Sequence, residues 1–308
     1  LGSTPGIEVS EGNTAFLYQR MRQKGDSPIL QITDVISEAI EYLYEQFSKT
    51  GKYNGNNKTP NIVLNPVDVV TPEGSVKYVP KNPDTYEAFV KAFKQDPFGT
   101  KWINYNNQNH TESLTLRARL RSLLFPEIPN AGTLVERDVG GKNTKELEVP
   151  YIVGEHLMVG DAATTMGEGG SLTTGELNNG EEVVVLSLPV RKLVSIPKGF
   201  GSSSYTDIPV EVLRVRAGEG KQEYLIVLPS AETAPAIMKQ FSEKQKLYPR
   251  LATNIANSLT SPLGAGYLIN SHKAQGSTYK TVYLDLGNIT GKTGPRSWIE
   301  TLQSLYVA

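Results

Sequence analysis

Residues 264–287 read GAGYLINSHKAQGSTYKTVYLDLG, and this stretch decides the fold of the chain. Two short apolar runs, at residues 267–269 and 281–286, predict two β-strands. Between them lies a connection rich in polar residues and glycine: Asn270, Ser271, His272, Lys273, Gln275, Gly276, Ser277 and Thr278. An ordinary turn does not need so many hydrogen-bond donors, whereas a surface that binds phosphate groups does. The pattern therefore predicts two strands joined by a phosphate-binding loop, with a plain solvated loop as the alternative.

This connection resembles motif V of superfamily 1 helicases. The resemblance is to the RecD/Dda-like branch, superfamily 1B, whose motif reads T-x-H-K-S-Q-G-S-T and links the ATP site to the DNA track. In this chain residues 270–279 read N-S-H-K-A-Q-G-S-T-Y. The resemblance implies that three residues face the DNA, namely Ser271, His272 and Lys273. It also implies that three residues face the nucleotide, namely Gln275, Gly276 and Ser277.

A second resemblance lies near the start of the chain. Ser27 followed by Pro28 predicts the N-terminus of a helix, and apolar residues then continue at helical spacing. The preceding residues 21–23 read M-R-Q and resemble motif IV of the same branch, whose arginine reaches the γ-phosphate of ATP. A planar guanidinium suits a phosphate under transfer. The resemblance implies this role for Arg22, although an isolated surface arginine is usually solvated.

A third resemblance lies between a predicted strand at 101–105 and a predicted helix that carries Leu114, Leu120 and Leu124. The intervening asparagine-rich turn resembles the Y-T-N-x-x-V motif of the branch, in which Thr and Asn bind the backbone of single-stranded DNA. The resemblance implies that Asn106 and Asn107 contact DNA. The alternative is that these asparagines only form the turn after the strand.

From about residue 149 short β-rich runs alternate with glycine-rich turns, which predicts a small β-barrel. The runs resemble the SH3-like barrel inserted in the second motor domain of Dda-like helicases. We therefore predict an α/β fold, with a RecA-like, mainly parallel sheet flanked by helices and an inserted barrel. The predicted domains are a flexible lead-in at 1–13, a second RecA-like motor domain (2A) at 14–150 and 230–308, and the barrel (2B) at 151–229.

Composition sets limits on this interpretation. The chain of 308 residues carries a net charge of −1, so a DNA-binding surface must be a local patch on a balanced surface. It has no cysteine, which excludes disulfides and thiolate metal sites, and its three histidines are widely scattered. No apolar run reaches the length of a membrane span. These features predict a cytoplasmic protein that does not associate with a membrane.

The sequence contains no P-loop and no Walker B pair, which belong to the first RecA-like domain of such motors. Residues 305–308 resemble the beginning of motif VI, before its arginine. The resemblance thus implies the second motor domain of an ATP-dependent DNA helicase, with the N-terminal RecA-like domain absent. The intact protein would use ATP and Mg²⁺, with the Mg²⁺ ligands outside this chain, to translocate 5′→3′ on single-stranded DNA and unwind duplex.

Further expectations follow from that resemblance. The partners would be single-stranded DNA, the missing N-terminal domain and proteins of replication or repair, and the 308-residue chain alone would not hydrolyse ATP. A rival interpretation is a non-catalytic α/β and β-barrel module that binds a protein or a nucleic acid.

Overall fold

The structure is a computed structural model, and it describes residues 28–50, 68–71, 74–105, 110–139, 142–160, 163–167, 170, 172–174, 176–197, 205–220, 222–228, 263–274, 277–290 and 301–302. The chain divides into two compact units, Leu1–Pro80 and Lys81–Ala308. The predicted lead-in at 1–13 lies outside the described residues. None of the described helices is both long enough and apolar enough to cross a membrane.

The first unit contains one long helix and a hairpin. Helix α1 (Pro28–Thr50) begins where the sequence predicts it. Its buried residues Ile36, Ala39 and Leu43 lie three and four positions apart, so they share one face of the helix. Strands β1 (Asp68–Thr71) and β2 (Gly74–Lys77) pair antiparallel.

The second unit contains a small parallel sheet. Its central strand is β3 (Thr100–Asn104), and all five of its residues are buried. Strand β14 (Leu268–Asn270) pairs with one edge of β3 and strand β15 (Thr281–Leu284) with the other, both in parallel. A run buried on both faces is typical of the central strand of a parallel sheet. The strands predicted at 101–105 and on either side of the polar connection are therefore confirmed.

Two helices cover this sheet. Helix α2 (Pro83–Gln95) is capped by Asn82, whose Oδ1 accepts a hydrogen bond from the backbone N–H of Thr85 at 3.0 Å. Helix α3 (Thr111–Leu124) follows β3 and packs through its apolar face. The core of this layer is aromatic and aliphatic, with Tyr86, Phe89, Val90, Phe93, Trp102, Leu116, Leu120, Leu124 and Tyr267.

A hairpin that the sequence did not predict follows α3. Strands β4 (Leu134–Val139) and β5 (Lys142–Leu147) pair antiparallel over their full length. Their sequences are mostly charged and polar, so they lack the apolar alternation that predicts a strand. Leu134 and Leu147 at the base of the hairpin pack against Leu114 of α3, which anchors it there.

The larger sheet is antiparallel and falls in the region predicted as a barrel. Its strands are β6 (His156–Val159), β7 (Thr164–Met166), β8 (Leu172–Thr174), β9 (Glu182–Val185), β10 (Val190–Pro197), β11 (Tyr205–Ala217), β12 (Glu223–Leu228) and β13 (Leu263–Ala265). They pair in the order β13-β6-β9-β11-β12-β7-β8, with β10 beside β11. Within the described ranges the pairing is an open path, so the closed SH3-like barrel stays a prediction.

The chain passes from one sheet to the other within a few residues. Strand β13 pairs with β6, and only two residues separate the end of β13 from the start of β14. The N–H of Gly266 donates to the carbonyl of His156 at 2.9 Å, and the N–H of Trp102 donates to the carbonyl of Tyr267 at 2.9 Å. Strand β13 lies outside the range predicted for the barrel, 151–229. The segment 263–270 therefore belongs to both sheets.

Candidate functional site

The candidate site lies at the carboxyl edge of the parallel sheet. Because β14, β3 and β15 are parallel, their last residues Asn270, Asn104 and Leu284 lie at the same edge. In open α/β sheets ligands bind outside the carboxyl ends of the strands, where the chain connections run in opposite directions. Here the chain runs from β14 to β15 past the central strand β3, and the connection starts at this edge.

The polar connection after β14 starts with one turn of helix instead of the open turn that the sequence predicts. Helix α4 spans Ser271–Ala274. Asn270 accounts for it, because its Oδ1 accepts a hydrogen bond from the N–H of Lys273 at 2.8 Å, as a helix N-cap does. The N–H of Ser277 then donates to the carbonyl of Ala274 at 3.1 Å and closes the turn.

Ser271 lies inside the protein. It has no exposed surface, and its hydroxyl makes no hydrogen bond to any described residue. Leaving a buried hydroxyl unpaired costs about 1–3 kcal/mol, so such groups are rare outside functional sites. Ser271 is therefore an unusual residue at the start of α4.

His272 and Lys273 lie on the outer side of the same turn. His272 is exposed, and its ring centroid is 6.0 Å from that of Tyr105. Lys273 is half-buried, and its Nζ donates a hydrogen bond to the carbonyl of Gly160 at 3.4 Å. Tyr105 directly precedes Asn106 and Asn107, so α4 lies beside the start of the other segment that was predicted to contact DNA.

The structure does not describe every predicted site residue. Those outside the described ranges are Arg22, Asn106, Asn107, Gln275 and Gly276. The roles predicted for them stay predictions. Of the three residues predicted to face the nucleotide, Ser277 is described, and its side chain is exposed directly after α4. Among the described residues no cluster of His, Asp and Glu is arranged to bind a metal ion.

A hydrogen-bond network on the other side of β3 was not foreseen from the sequence. The second predicted strand ends at Leu284, not at 286, and helix α5 (Leu286–Thr290) follows. Asn288 of α5 accepts a hydrogen bond from the N–H of Tyr105 at 2.9 Å and donates one to Glu112 at 2.6 Å. An Asp directly after a strand and directly before an apolar residue is an N-cap signal that could have revealed this helix.

Asp285 holds α5 in place. Its Oδ1 accepts a hydrogen bond from the N–H of Asn288 at 3.1 Å, as an N-cap residue does. Its own N–H donates to the carbonyl of Ile103 at 2.9 Å, which ties the start of α5 to the central strand. Its second oxygen, Oδ2, lies 2.5 Å from the Nζ of Lys81.

A buried ion pair joins the parallel sheet to the antiparallel one. The Nζ of Lys101 in β3 lies 2.9 Å from Oε2 of Glu182 in β9, and the lysine side chain has no exposed surface. Burial lowers the pKa of Lys101, and burial raises the pKa of Glu182, because each charge has lost water. Lys101 Nζ also donates to the carbonyl of Pro97 at 2.8 Å. The pair fixes β3, and so the candidate site, against the second sheet.

His156 lies close to this pair. Its ring packs edge-on against Phe93 and Phe98, with centroids 5.5 and 4.9 Å away. Burial, together with the nearby positive charges of Lys101 and Arg216, lowers the pKa of His156 to about 4. The imidazole is therefore neutral at physiological pH and serves as part of the core.

Comparison with known proteins gave few matches. No family model matches the sequence, and no curated protein matches it. Five chains among the solved structures match, one of them the Pif1 helicase from Candida albicans. That match has 12% sequence identity and a TM-score of 0.37, and it covers 94% of this chain. The chain spans 52% of the length of that helicase. A TM-score at this level does not define a shared fold.

Proposed function

We propose that this chain is the second motor domain of an ATP-dependent helicase of the superfamily 1B type, which moves along single-stranded DNA. One observation supports the proposal above the others. Two segments that are far apart in sequence and that resemble DNA-contacting motifs meet at the carboxyl edge of the parallel sheet, where His272 lies beside Tyr105. The parallel pairing of β14 with β3 brings the two segments together, and the motif resemblances of both then point to one surface.

The chemistry of the edge suits a nucleic-acid backbone. Lys273 supplies a cation for a phosphate, and the exposed imidazole of His272 offers a flat surface on which a base can stack. Ser271 has no exposed surface, so its hydroxyl does not contribute to this surface. Asn106 and Asn107, directly after Tyr105, would add amide donors for phosphate oxygens.

The nucleotide would lie on the far side of α4. Ser277 offers an exposed hydroxyl there, and Gln275 and Gly276 directly precede it. ATP with Mg²⁺ would supply the phosphoryl group whose hydrolysis drives movement. In the proposal Arg22 supplies the guanidinium that contacts the γ-phosphate.

DNA binding by the 308-residue chain tests the proposal. The fluorescence anisotropy of a labelled oligothymidylate, titrated at several salt concentrations, gives the dissociation constant and its salt dependence. Lys273→Ala should weaken binding and reduce the slope of log K against log salt by about 0.7, the value for one phosphate contact on a single strand. Lys280→Ala is the matched control, since Lys280 is exposed directly before β15, at the opposite end of the sheet.

Two results would contradict the proposal. The first is that the unchanged chain does not bind the oligonucleotide even at low salt. The second is that Lys273→Ala and Lys280→Ala have the same affinity and the same salt slope. The non-catalytic module is tested separately, because it predicts that the intact protein hydrolyses no ATP even when single-stranded DNA is added.

A further inference from the structure

Asn288 uses its backbone and both ends of its side chain in hydrogen bonds. Its Oδ1 accepts from the N–H of Tyr105 at 2.9 Å, and its Nδ2 donates to Oε2 of Glu112 at 2.6 Å. Its N–H donates to Asp285 at 3.1 Å, and the residue is 7% exposed. One amide therefore joins the end of β3 to the first turn of α3.

The backbone that carries the Asn288 amide is held in place. Helix α5 is capped by Asp285, which is bonded to Ile103 of β3, and the neighbouring Ile289 has no exposed surface. Asn288 thus has little freedom to follow Tyr105 or Glu112 if either moves. The two residues are instead held where the amide lies.

We propose that Asn288 is a positioning residue for the DNA-contacting surface, because it fixes Tyr105 beside His272. The inference rests on the proposed function. Tyr105 is the last described residue before Asn106 and Asn107, and its ring lies 6.0 Å from the His272 ring. Without the bond from Asn288, the backbone at Tyr105 loses its anchor at the carboxyl edge. The Tyr105 ring is then no longer held beside the His272 ring.

The residue type is specific to this task. Asn288 must accept from a backbone N–H and also donate to a carboxylate, and an amide side chain can do both. In Asn288→Asp the acceptor is kept, but a carboxylate then faces the carboxylate of Glu112. When Asn288→Asp is combined with Glu112→Gln, the side-chain amide that donates the hydrogen bond moves from position 288 to position 112. The net charge of the two residues is unchanged.

The experiment measures oligothymidylate affinity, its salt slope and backbone hydrogen exchange at residues 105 and 110–113. Asn288→Leu and Asn288→Asp should each raise the dissociation constant about 10-fold, the effect of losing one stacked base. In Asn288→Leu the salt slope should stay at the unchanged chain's value, because no phosphate contact is removed. The double variant should recover affinity to within about 3-fold, because the amide introduced at position 112 donates to the carboxylate introduced at position 288 and the hydrogen bond stays charge-assisted.

A matched control separates positioning from loss of stability. Thr165→Val removes a buried hydroxyl that contacts Thr173 and Glu176 in the antiparallel sheet, away from the candidate site. It should lower the melting temperature and leave affinity unchanged. A loss of affinity in Thr165→Val equal to that in Asn288→Leu would overturn the inference.

The outcomes also distinguish the inference from the proposed function. If Asn288→Leu binds as tightly as the unchanged chain while Lys273→Ala binds more weakly, Asn288 positions nothing and the proposed function stands. If the unchanged chain binds no DNA, the proposed function fails. Hydrogen exchange then decides whether Asn288 anchors Tyr105 and Glu112. Faster exchange at 105 and 110–113 in Asn288→Leu, restored in the double variant, would then support the anchoring role, and unchanged exchange would refute it.

Discussion

Arg121 and Glu155 form an ion pair in which neither side chain has any exposed surface, with Nη2 and Oε2 2.8 Å apart. The arginine comes from α3, and the carboxylate lies directly before β6. Arg121 also donates to the carbonyls of Ala131 and Val149, and Glu155 accepts from the N–H of Ile152 at 3.3 Å. The pair therefore fixes the start of the antiparallel sheet on the helix that covers the parallel one.

Removal of either partner of this pair should be costly. Arg121→Met or Glu155→Leu leaves a buried charge without its partner, and we expect a loss of about 3–5 kcal/mol in the free energy of unfolding. The control is Arg214→Met, which breaks the exposed pair with Glu223 and should cost no more than about 1 kcal/mol. Urea denaturation of the three variants gives the comparison. Equal urea midpoints for all three variants would show that the buried pair stabilises the protein no more than the exposed pair does.

The proposed function predicts that substitutions at Arg22 and Lys273 have different effects in the intact motor. Lys273→Ala should weaken DNA binding, with ATP turnover recovering at saturating DNA because the nucleotide side is untouched. Arg22→Ala should leave DNA affinity unchanged while turnover falls on the order of 10³–10⁵-fold, and Arg22→Lys should restore little because an ammonium lacks the guanidinium fork. ATPase rates measured during a DNA titration give both the DNA affinity and the turnover of each variant. Normal turnover in Arg22→Ala would remove Arg22 from the nucleotide site.

Stability should decline in acid because of His156. Its pKa is about 4 in the folded protein against 6.5 in the unfolded chain, so between these values the unfolded state binds more protons. Stability should therefore fall as the pH falls from about 6.5 to about 4. The slope should be less than about 1.4 kcal/mol per pH unit, since the ring is only partly buried.

The contribution of His156 can be isolated by substitution. His156→Phe keeps the aromatic contacts with Phe93 and Phe98 and should flatten the decline, whereas His110→Asn, which keeps an N-cap residue at α3, should not. Thermal melts between pH 4 and 8 provide the test. An identical pH profile in His156→Phe and the unchanged chain would mean that another group causes the decline.

A side chain at Gly266 should destabilise the protein. A Cβ at this position would lie 3.1 Å from the carbonyl carbon and oxygen of His156, which are backbone atoms held within β6. Gly266→Ala should lower the free energy of unfolding by about 1–3 kcal/mol, as overpacking usually does. Gly287→Ala is the control, because its Cβ would meet Asp285 at an ordinary 3.6 Å and alanine favours a helix. A melting temperature for Gly266→Ala at or above that of Gly287→Ala would be the contrary result.

The parts of the fold that depend on local pattern could be predicted from the sequence. Helix α1 and strands β3, β14 and β15 follow from their apolar spacing. Hairpin β4–β5 could not, because its residues are mostly charged and only its base packs against α3. The short helices α4 and α5 each depend on one capping hydrogen bond, to Asn270 and Asp285, and the spacing of apolar residues does not predict such bonds.

The site was predictable only in part, for a similar reason. Ser271, His272 and Lys273 stand in one short motif, so a resemblance could indicate them together. Asn288 joins residues that are 183 and 176 positions away along the chain, and nothing local to it suggests that role. Arg121 and Glu155 are ordinary charged residues in sequence, and only the packing of α3 against the next sheet buries them both.

The position of β13 has a consequence for the order in which the chain is assembled. Strand β6 pairs with β13 across about 100 positions, and contacts this distant form slowly. During synthesis the outer edge of β6 stays without its partner until residues 263–265 leave the ribosome, and an unpaired edge can associate with another chain. The same short segment then continues into β14 and α4. Residues 263–274 therefore both complete the edge of the antiparallel sheet and form the start of the candidate site.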